Sequence, residues 1–508
     1  MKPKHEKRNE SAYVTRRKRR MNMFYLIITL LAFEVIGLMF IVFPREEVSE
    51  LEKRKLAKFP ELTAESYFSG DFTEGVSEWF SDTVPFRDDL MELSSELRSF
   101  KGISGIGGEE ITLHGVGGTV KPESRPELPS KPEQTSKPEQ SSKPEVTSKP
   151  DTETSVPEDE SSTPVQDEPV TSEPEEKPDE GNSQIEAPET EEPDSEDALD
   201  IKNNGIAVVG NGAATRALML YGGSYSTGES YAKVINKYKE TLGDDVNVYS
   251  MVIPTAVEFY SPAELKPYTA SQLDNINWII ENLSDDVKAV NVYTTLSQHT
   301  DEVIYTRTDH HWASLGAYYA AKEFAKAADV PFMDISEYEQ KVVHDYVGTM
   351  YSYSGYDPKV KNNPEDFFYY VPKNVDFTTT YTEYILGEDG SITGQRDPYE
   401  GSFFIRYSDG NGMAYCTFMG GDSKITHVHT STGNGRKLAI FKDSYGNALP
   451  PFLFGSFEDI YVIDMRYFTE NAVEYLTENG VTDVLFANNA FHAATASTVR
   501  YYNNFLTQ

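Results

Sequence analysis

The hydrophobic pattern of the chain falls into three regimes. From about residue 201, short apolar runs alternate with stretches of helical spacing. Residues 206–209 and 217–221 read as strands, 228–242 (GESYAKVINKYKETL) as a helix and 246–253 as a strand ending at Pro254. A helix over 271–283, a strand over 289–293 and a helix over 313–327 (ASLGAYYAAKEFAKA) follow. Residues 330–436 break the rhythm. They are rich in Tyr, Gly, Asp and Thr in short alternating runs, which predicts a β-rich insertion. Strands over 438–442 and 460–463, a helix over 469–478 and a strand over 483–486 then resume the alternation. Strands and helices in such alternation predict an α/β fold, a mainly parallel sheet with helices on both faces.

The N-terminal part differs. Residues 50–100 read as a polar amphipathic helical segment in which Tyr67, Phe68, Phe72, Val76, Trp79 and Phe80 recur, broken by Pro85-Phe86-Arg87. A short strand follows over 109–116. Before both, residues 23–43 run apolar with a single charge, Glu34. At about 1.5 Å per residue this span reaches about 31 Å, enough to cross a bilayer core. Nine basic side chains precede it, among them Arg16, Arg17, Lys18, Arg19 and Arg20, and Glu46, Glu47, Glu50 and Glu52 follow it. That asymmetry predicts a single-pass cell-membrane anchor with a cytoplasmic N-terminus and an extracytoplasmic body. A cleaved signal peptide is the competing reading, disfavoured by the length of the span and the lack of a small-residue site after Phe43.

Composition changes the domain count. Of the 508 residues, 121–200 contain 25 Asp+Glu, 7 Lys+Arg, 14 of the 28 prolines and no aromatic residue. Such a tract cannot bury enough apolar surface to fold, and its SKPEQT-type repeats predict a stiff, extended spacer or wall-threading segment. The predicted organisation is a basic cytoplasmic tail (1–22), an anchor (23–43), a juxtamembrane helical segment that begins the ectodomain (44–120), the disordered acidic tract (121–200) and the α/β domain (201–508) with its insertion at about 330–436. A formal net charge of −36 argues against nucleic-acid binding. The lone Cys416 excludes an intrachain disulfide and a cysteine-rich metal site.

Two motifs carry candidate chemistry. Thr306-Arg307-Thr308-Asp309-His310-His311-Trp312 immediately precedes the helix predicted at 313, and Lys442-Asp443-Ser444-Tyr445-Gly446 follows an apolar strand. In open α/β sheets reacting groups sit at the carboxyl ends of strands. A serine there can meet a base such as His311, oriented by Asp309, with backbone N–H groups near Ser444 and Tyr445 facing the same space. Blander roles exist for each residue. Ser444 could be a helix N-cap, Asp309-His310-His311 could be a metal fragment, and His427 and His429 read as strand neighbours at the surface. One of His310 and His311 is expected to be structural, because adjacent side chains diverge. No metal or other cofactor is expected.

The T-D-H-H-W run, the strand–D-S-Y-G turn and the anchor with W-F-S-D-T-V-P-F-R together resemble the DHHW proteins. These are similar to the alginate O-acetyltransferase (AlgX/AlgJ) group of SGNH-hydrolase-like domains. The resemblance covers residues 44–117 and 201–508. It implies an SGNH-like α/β domain whose Ser444, His311 and Asp309 act as nucleophile, base and orienter, with Asn488 or Asn489 joining Tyr445 at the oxyanion. Lys442 departs from the small residue common at that position. The resemblance further implies O-acetyl transfer to hydroxyls of a cell-envelope polysaccharide, with a membrane-bound O-acyltransferase as partner. Hydrolysis as an acetylesterase would use the same residues, and a non-catalytic glycan-binding or scaffold module is the alternative. Tyr351, Tyr353 and Tyr356 (MYSYSGY) are candidate sugar-stacking residues, with packing as the competing role.

Overall fold

A computed structural model describes residues 203–387 and 391–508, residues 71–86 and 111–116, and scattered positions between 43 and 126. The chain divides into two units, Met1–Ser124 with Ala187–Gln508, and Arg125–Glu186. Of the second unit only Arg125 and Pro126 are described. The predicted anchor over 23–43 lies outside the described residues apart from Phe43. Among the described residues no helix is long and apolar enough to cross a membrane. In segment 44–120 the described helix is Asp71–Asp82.

The core of the larger unit is an eight-stranded mixed sheet. Its parallel half runs Asp459–Asp464, Lys437–Lys442, Asp483–Asn489, Asn247–Ile253 and Val287–Ala289. The first four of these strands are almost wholly buried and largely apolar because both faces are covered, whereas the edge strand Val287–Ala289 exposes Lys288 and Ala289. On one face Phe441 and Phe486 pack with Tyr238 of helix Tyr225–Leu242 and Tyr502 of helix Ala496–Phe505. Tyr249 points the other way, as strand alternation requires, and meets Phe324 of helix Ser314–Ala328 edge-on at 5.1 Å.

Three expectations need correction. Residues 289–293 do not form one strand: pairing ends at Ala289, and Asn291 caps a helix, Val292–Ser297, by accepting the Thr294 N–H. Segment 330–436 is β-rich as expected, but it does not stand apart from the main sheet. Its strands Ile425–Thr430, Phe377–Thr382 and Tyr399–Glu400 extend the main sheet antiparallel beyond Asp459–Asp464, while Tyr338–Tyr346 pairs with Glu365–Pro372 as a hairpin sheet. The strands at 206–209 and 217–221 belong to neither. Asn203–Val209 and Arg216–Tyr221 join Thr112–His114 in a three-stranded antiparallel sheet, with Thr112 opposite Val208 and His114 opposite Ile206. Thr112–His114 and Asn203–Val209, the described strands on either side of the acidic tract in sequence, are therefore neighbours in one sheet.

Candidate active site

The strand Lys437–Lys442 delivers the serine. Beyond Lys442 the chain turns sharply into a 3-10 segment, Ser444–Ala448, capped by Asp443, whose Oδ1 accepts the Tyr445 N–H at 2.9 Å. Asp443 is fully buried and saturated: its Oδ2 accepts the Asn489 N–H at 2.8 Å and the Asn488 Nδ2 at 3.3 Å, and its Oδ1 accepts the Asn489 Nδ2 at 3.2 Å. A buried carboxylate needs such satisfaction, and here it fixes the turn to the neighbouring strand.

The other half of the site is a closed loop. Tyr305 and Trp312 pair as an antiparallel bridge, and the Thr306 hydroxyl lies 3.1 Å from the Asp309 carbonyl and 2.7 Å from that of His311. Glu365 accepts the N–H groups of Arg307 and Thr308 at 2.6–2.8 Å. Two hydrogen bonds then join loop to turn: the Trp312 indole N–H donates to the Tyr445 carbonyl at 2.8 Å, and the Tyr445 hydroxyl donates to the His310 carbonyl.

Across this joint runs an unbroken chain of contacts. Asp309 Oδ1 is 2.6 Å from His311 Nδ1, and His311 Nε2 is 2.8 Å from Ser444 Oγ. Asp309 is almost fully buried. Burial alone would raise its pKa, but the His311 imidazole, His310 and the Thr349 N–H outweigh it and hold the carboxyl well below its usual range. Thr349 donates to Asp309 Oδ2 from both its N–H and its hydroxyl, each at 2.8 Å. Gly348 permits this approach, since a Cβ there would sit 2.4 Å from the Asp309 carboxylate. The ring of Tyr415 lies flat on His311, 3.7 Å away and 7° from parallel, and its hydroxyl donates to the carbonyls of Ser444 and Tyr445 at 2.9 and 3.0 Å.

The geometry thus brings together Asp309, His311 and Ser444, and revises several neighbours. The Tyr445 N–H is taken by Asp443 and cannot serve an oxyanion. Asn488 is wholly buried; its Oδ1 accepts the hydroxyls of Tyr231 and Tyr502 at 2.9 and 2.7 Å. Asn489 caps the following helix turn, accepting the His492 N–H at 3.1 Å while holding Asp443. Both asparagines support the turn instead of facing the serine. Tyr351 and Tyr356 are buried against each other, so packing is their role; only Tyr353, 43% exposed, offers a surface ring, 5.5 Å from His310. His310 and His311 do not diverge: their rings stand 3.7 Å apart. His427 and His429 are neighbours on the strand Ile425–Thr430, half-buried and exposed as expected, and each reaches Asp459 Oδ1 at 2.9 Å. Asp309, His310 and His311 bring ligand-type atoms within 4.8 Å of one another, but both His311 nitrogens are committed to Asp309 and Ser444.

Lys442, the departure from a small residue, is buried in an ion cluster. Its Nζ meets Asp422 at 2.8 Å and Asp464 at 2.6 Å, and Arg466 bridges the same two carboxylates at 2.7 and 2.8 Å. Gly446 makes room for its stem, since a Cβ there would lie 2.4 Å from Lys442 Cβ.

The family model described as DHHW protein matches residues 52–463, most of the chain. The chain belongs to the DHHW family. Its namesake run is Asp309-His310-His311-Trp312, the loop just described. A DHHW family protein from Eubacterium siraeum is similar at 43% identity and a TM-score of 0.54, covering 60% of this chain and 96% of that one. Bacillus cereus PatB1, solved with a sulfonyl adduct, is similar at 18% identity and a TM-score of 0.46 over 56% of this chain and 95% of that one. The O-acetyltransferase domain of Pseudomonas putida AlgJ matches at 13% identity and a TM-score of 0.33, over 55% and 90% of the two chains. Among curated proteins there is no match. Within this DHHW protein, Thr349, Tyr415 and Asp443 are site residues that sequence reasoning missed. Only Asp443 carried a local signal, as the residue between strand and serine.

Proposed function

We propose that this DHHW protein is a membrane-anchored, extracytoplasmic acyltransferase that moves an acetyl group onto hydroxyls of a cell-envelope polysaccharide. The observation that carries the reading is the hydrogen-bonded line from Asp309 through His311 to Ser444 at the carboxyl end of a central parallel strand. In the first half-reaction Ser444 Oγ attacks the carbonyl carbon of an acyl ester or thioester and its proton passes to His311 Nε2. The leaving group departs with that proton, and an acyl-Ser444 ester remains. A sugar hydroxyl then attacks the ester, His311 takes its proton, and the Ser444–acyl bond breaks as that proton returns to Ser444 Oγ. Asp309 holds the imidazole in the tautomer that leaves Nε2 free to accept, and stabilises the imidazolium. With the Tyr445 N–H engaged, the Ser444 N–H is the turn's donor for the oxyanion.

The sugar class and the partner acyltransferase rest on the likeness of the motifs to polysaccharide O-acetyltransferases. The location rests on the charge asymmetry around residues 23–43. The deciding experiment uses 4-nitrophenyl acetate and a sulfonyl fluoride probe. Ser444→Ala should abolish acetate release and labelling together. Full activity in Ser444→Ala would overturn the serine mechanism, and a parent chain with neither turnover nor labelling would favour the non-catalytic glycan-binding or scaffold module.

A further inference from the structure

The mechanism above uses His311 and leaves its neighbour unassigned. The His310 side chain is 16% exposed and its ring lies 3.7 Å from that of His311. Its Nδ1 is 2.6 Å from the Thr349 hydroxyl oxygen. That hydroxyl has one proton, and it is already given to Asp309 Oδ2, which as a carboxylate can only accept. The proton between Thr349 and His310 must therefore be carried by His310 Nδ1. Burial, reinforced by the neighbouring His311, pushes His310 down from 6.5 to about 3, so the ring is neutral near pH 7. A neutral imidazole with its proton on Nδ1 has a bare lone pair on Nε2. Among the described residues that Nε2 has no hydrogen-bond partner.

Its direction follows from how the two rings face Asp309. Both rings turn Nδ1 toward Asp309, at 2.6 Å for His311 and 4.0 Å for His310. Both Nε2 atoms therefore point away from the carboxylate, and that of His311 reaches Ser444 Oγ. The site thus presents two adjacent imidazole acceptors, one beside the serine and one fixed in tautomer by the Thr349–Asp309 relay. The exposed ring of Tyr353 stands next to the second.

We propose that His310 binds the acceptor sugar: its Nε2 takes a hydrogen bond from the hydroxyl adjacent to the one that attacks acyl-Ser444, so the site selects vicinal diols. This deepens the acyl-transfer reading and rests on it. A lone acceptor of this kind recognises a donor, and the sugar hydroxyl next to the attacking one is such a donor, presented beside two adjacent imidazole rings.

The test partitions the acyl-enzyme between alcohols, using the full-length chain in detergent, 4-nitrophenyl acetate as donor, and propan-1-ol or propane-1,2-diol as acceptor. The parent should acylate the diol in preference to the mono-ol. His310→Phe keeps a ring against His311 but removes Nε2. It should lower transfer to the diol by about tenfold, the loss of one hydrogen bond, and bring the two alcohols to parity. Sulfonyl fluoride labelling should fall far less, and His310→Gln should recover part of the diol preference. An unchanged diol preference in His310→Phe, or labelling and transfer falling in parallel, would overturn the proposal and make His310 a purely structural residue. A parent chain that is neither labelled nor turned over would instead sink the acyl-transfer reading. Independently of any turnover, ¹⁵N spectra of histidine-labelled parent should show an Nδ1–H neutral imidazole persisting to pH 5. An Nε2–H tautomer for His310 would refute the acceptor role directly.

Discussion

Tyr415 lies on His311 as a flat lid, 7° from parallel, while its hydroxyl ties the backbone of the serine turn. One side chain therefore fixes both the base and the strand end that carries the nucleophile. Tyr415→Leu should lower esterase turnover about tenfold, since a ring contact of this type contributes about 0.5–1.5 kcal/mol and the imidazolium gains from the ring face. Tyr415→Phe keeps the stack and should retain most of the turnover while losing about 1 kcal/mol of stability with the two carbonyl contacts. Steady-state rates and urea unfolding of the pair would separate the two contributions.

Thr349 should matter although it touches no substrate. Thr349→Val keeps the shape and the N–H bond to Asp309 but removes the hydroxyl bond. Loss of one hydrogen bond to a charged acceptor predicts about a tenfold fall in kcat with KM little changed. Asp309→Asn should cost far more, because the His311 tautomer is no longer enforced.

Stability should fall in acid, and His310 supplies part of the slope. Its folded pKa is depressed to about 3 from 6.5, so between those values the unfolded chain binds a proton that the folded chain does not. Stability therefore rises with pH across that window and is lost as pH falls through it. Asp309 adds a further loss at lower pH, below the ordinary carboxylate pKa, because its folded value is depressed as well. In His310→Gln the melting temperature should decline less between pH 6.5 and 4 than in the parent. Equal slopes in thermal melts would contradict the buried, neutral assignment.

The ion cluster under the serine turn should be fragile to single changes. Lys442→Met leaves Asp422 and Asp464 with Arg466 as their remaining cation, and should cost about 3 kcal/mol in urea unfolding. Lys437→Met, on the same strand but one-third exposed against Asp459, should cost less than about 1 kcal/mol.

Removing residues 127–186 should leave the melting temperature nearly unchanged, since a segment without aromatic residues adds nothing to a core. Starting the chain at residue 120 should destabilise it. That truncation strips the edge strand from the three-stranded sheet and the 2.8 Å contact of His114 with Asp357.

Where the sequence was legible, a local period carried the information. The strands Asn247–Ile253 and Lys437–Lys442 are largely apolar runs, and the helix Ser314–Ala328 repeats its apolar face; each lies within two residues of its expected place. The line Asp309–His311–Ser444 could be read because two residues share one loop and the third follows a strand. Tyr415 and Thr349 could not, because they meet the motif only through tertiary packing. The asparagines failed for a related reason. Counting strands finds the right strand end, but it cannot say which way an amide points when a buried carboxylate competes for it. Residues 330–436 misled because their strands have ordinary alternation, and only the antiparallel pairing of Ile425–Thr430 with Asp459–Asp464, carried on to Phe377–Thr382, brings part of them into the main sheet.

The pairing of Thr112–His114 with Asn203–Val209 also sets a timetable for synthesis. The partner of His114 is Ile206, so the ribosome must add about 90 further residues, roughly 5–20 s of translation, before the edge strand has anything to pair with. What emerges during that wait is a polyanionic, proline-rich stretch with no aromatic side chain, which offers the waiting strand nothing to stick to. Lengthening the tract would lengthen that wait in proportion to the residues added.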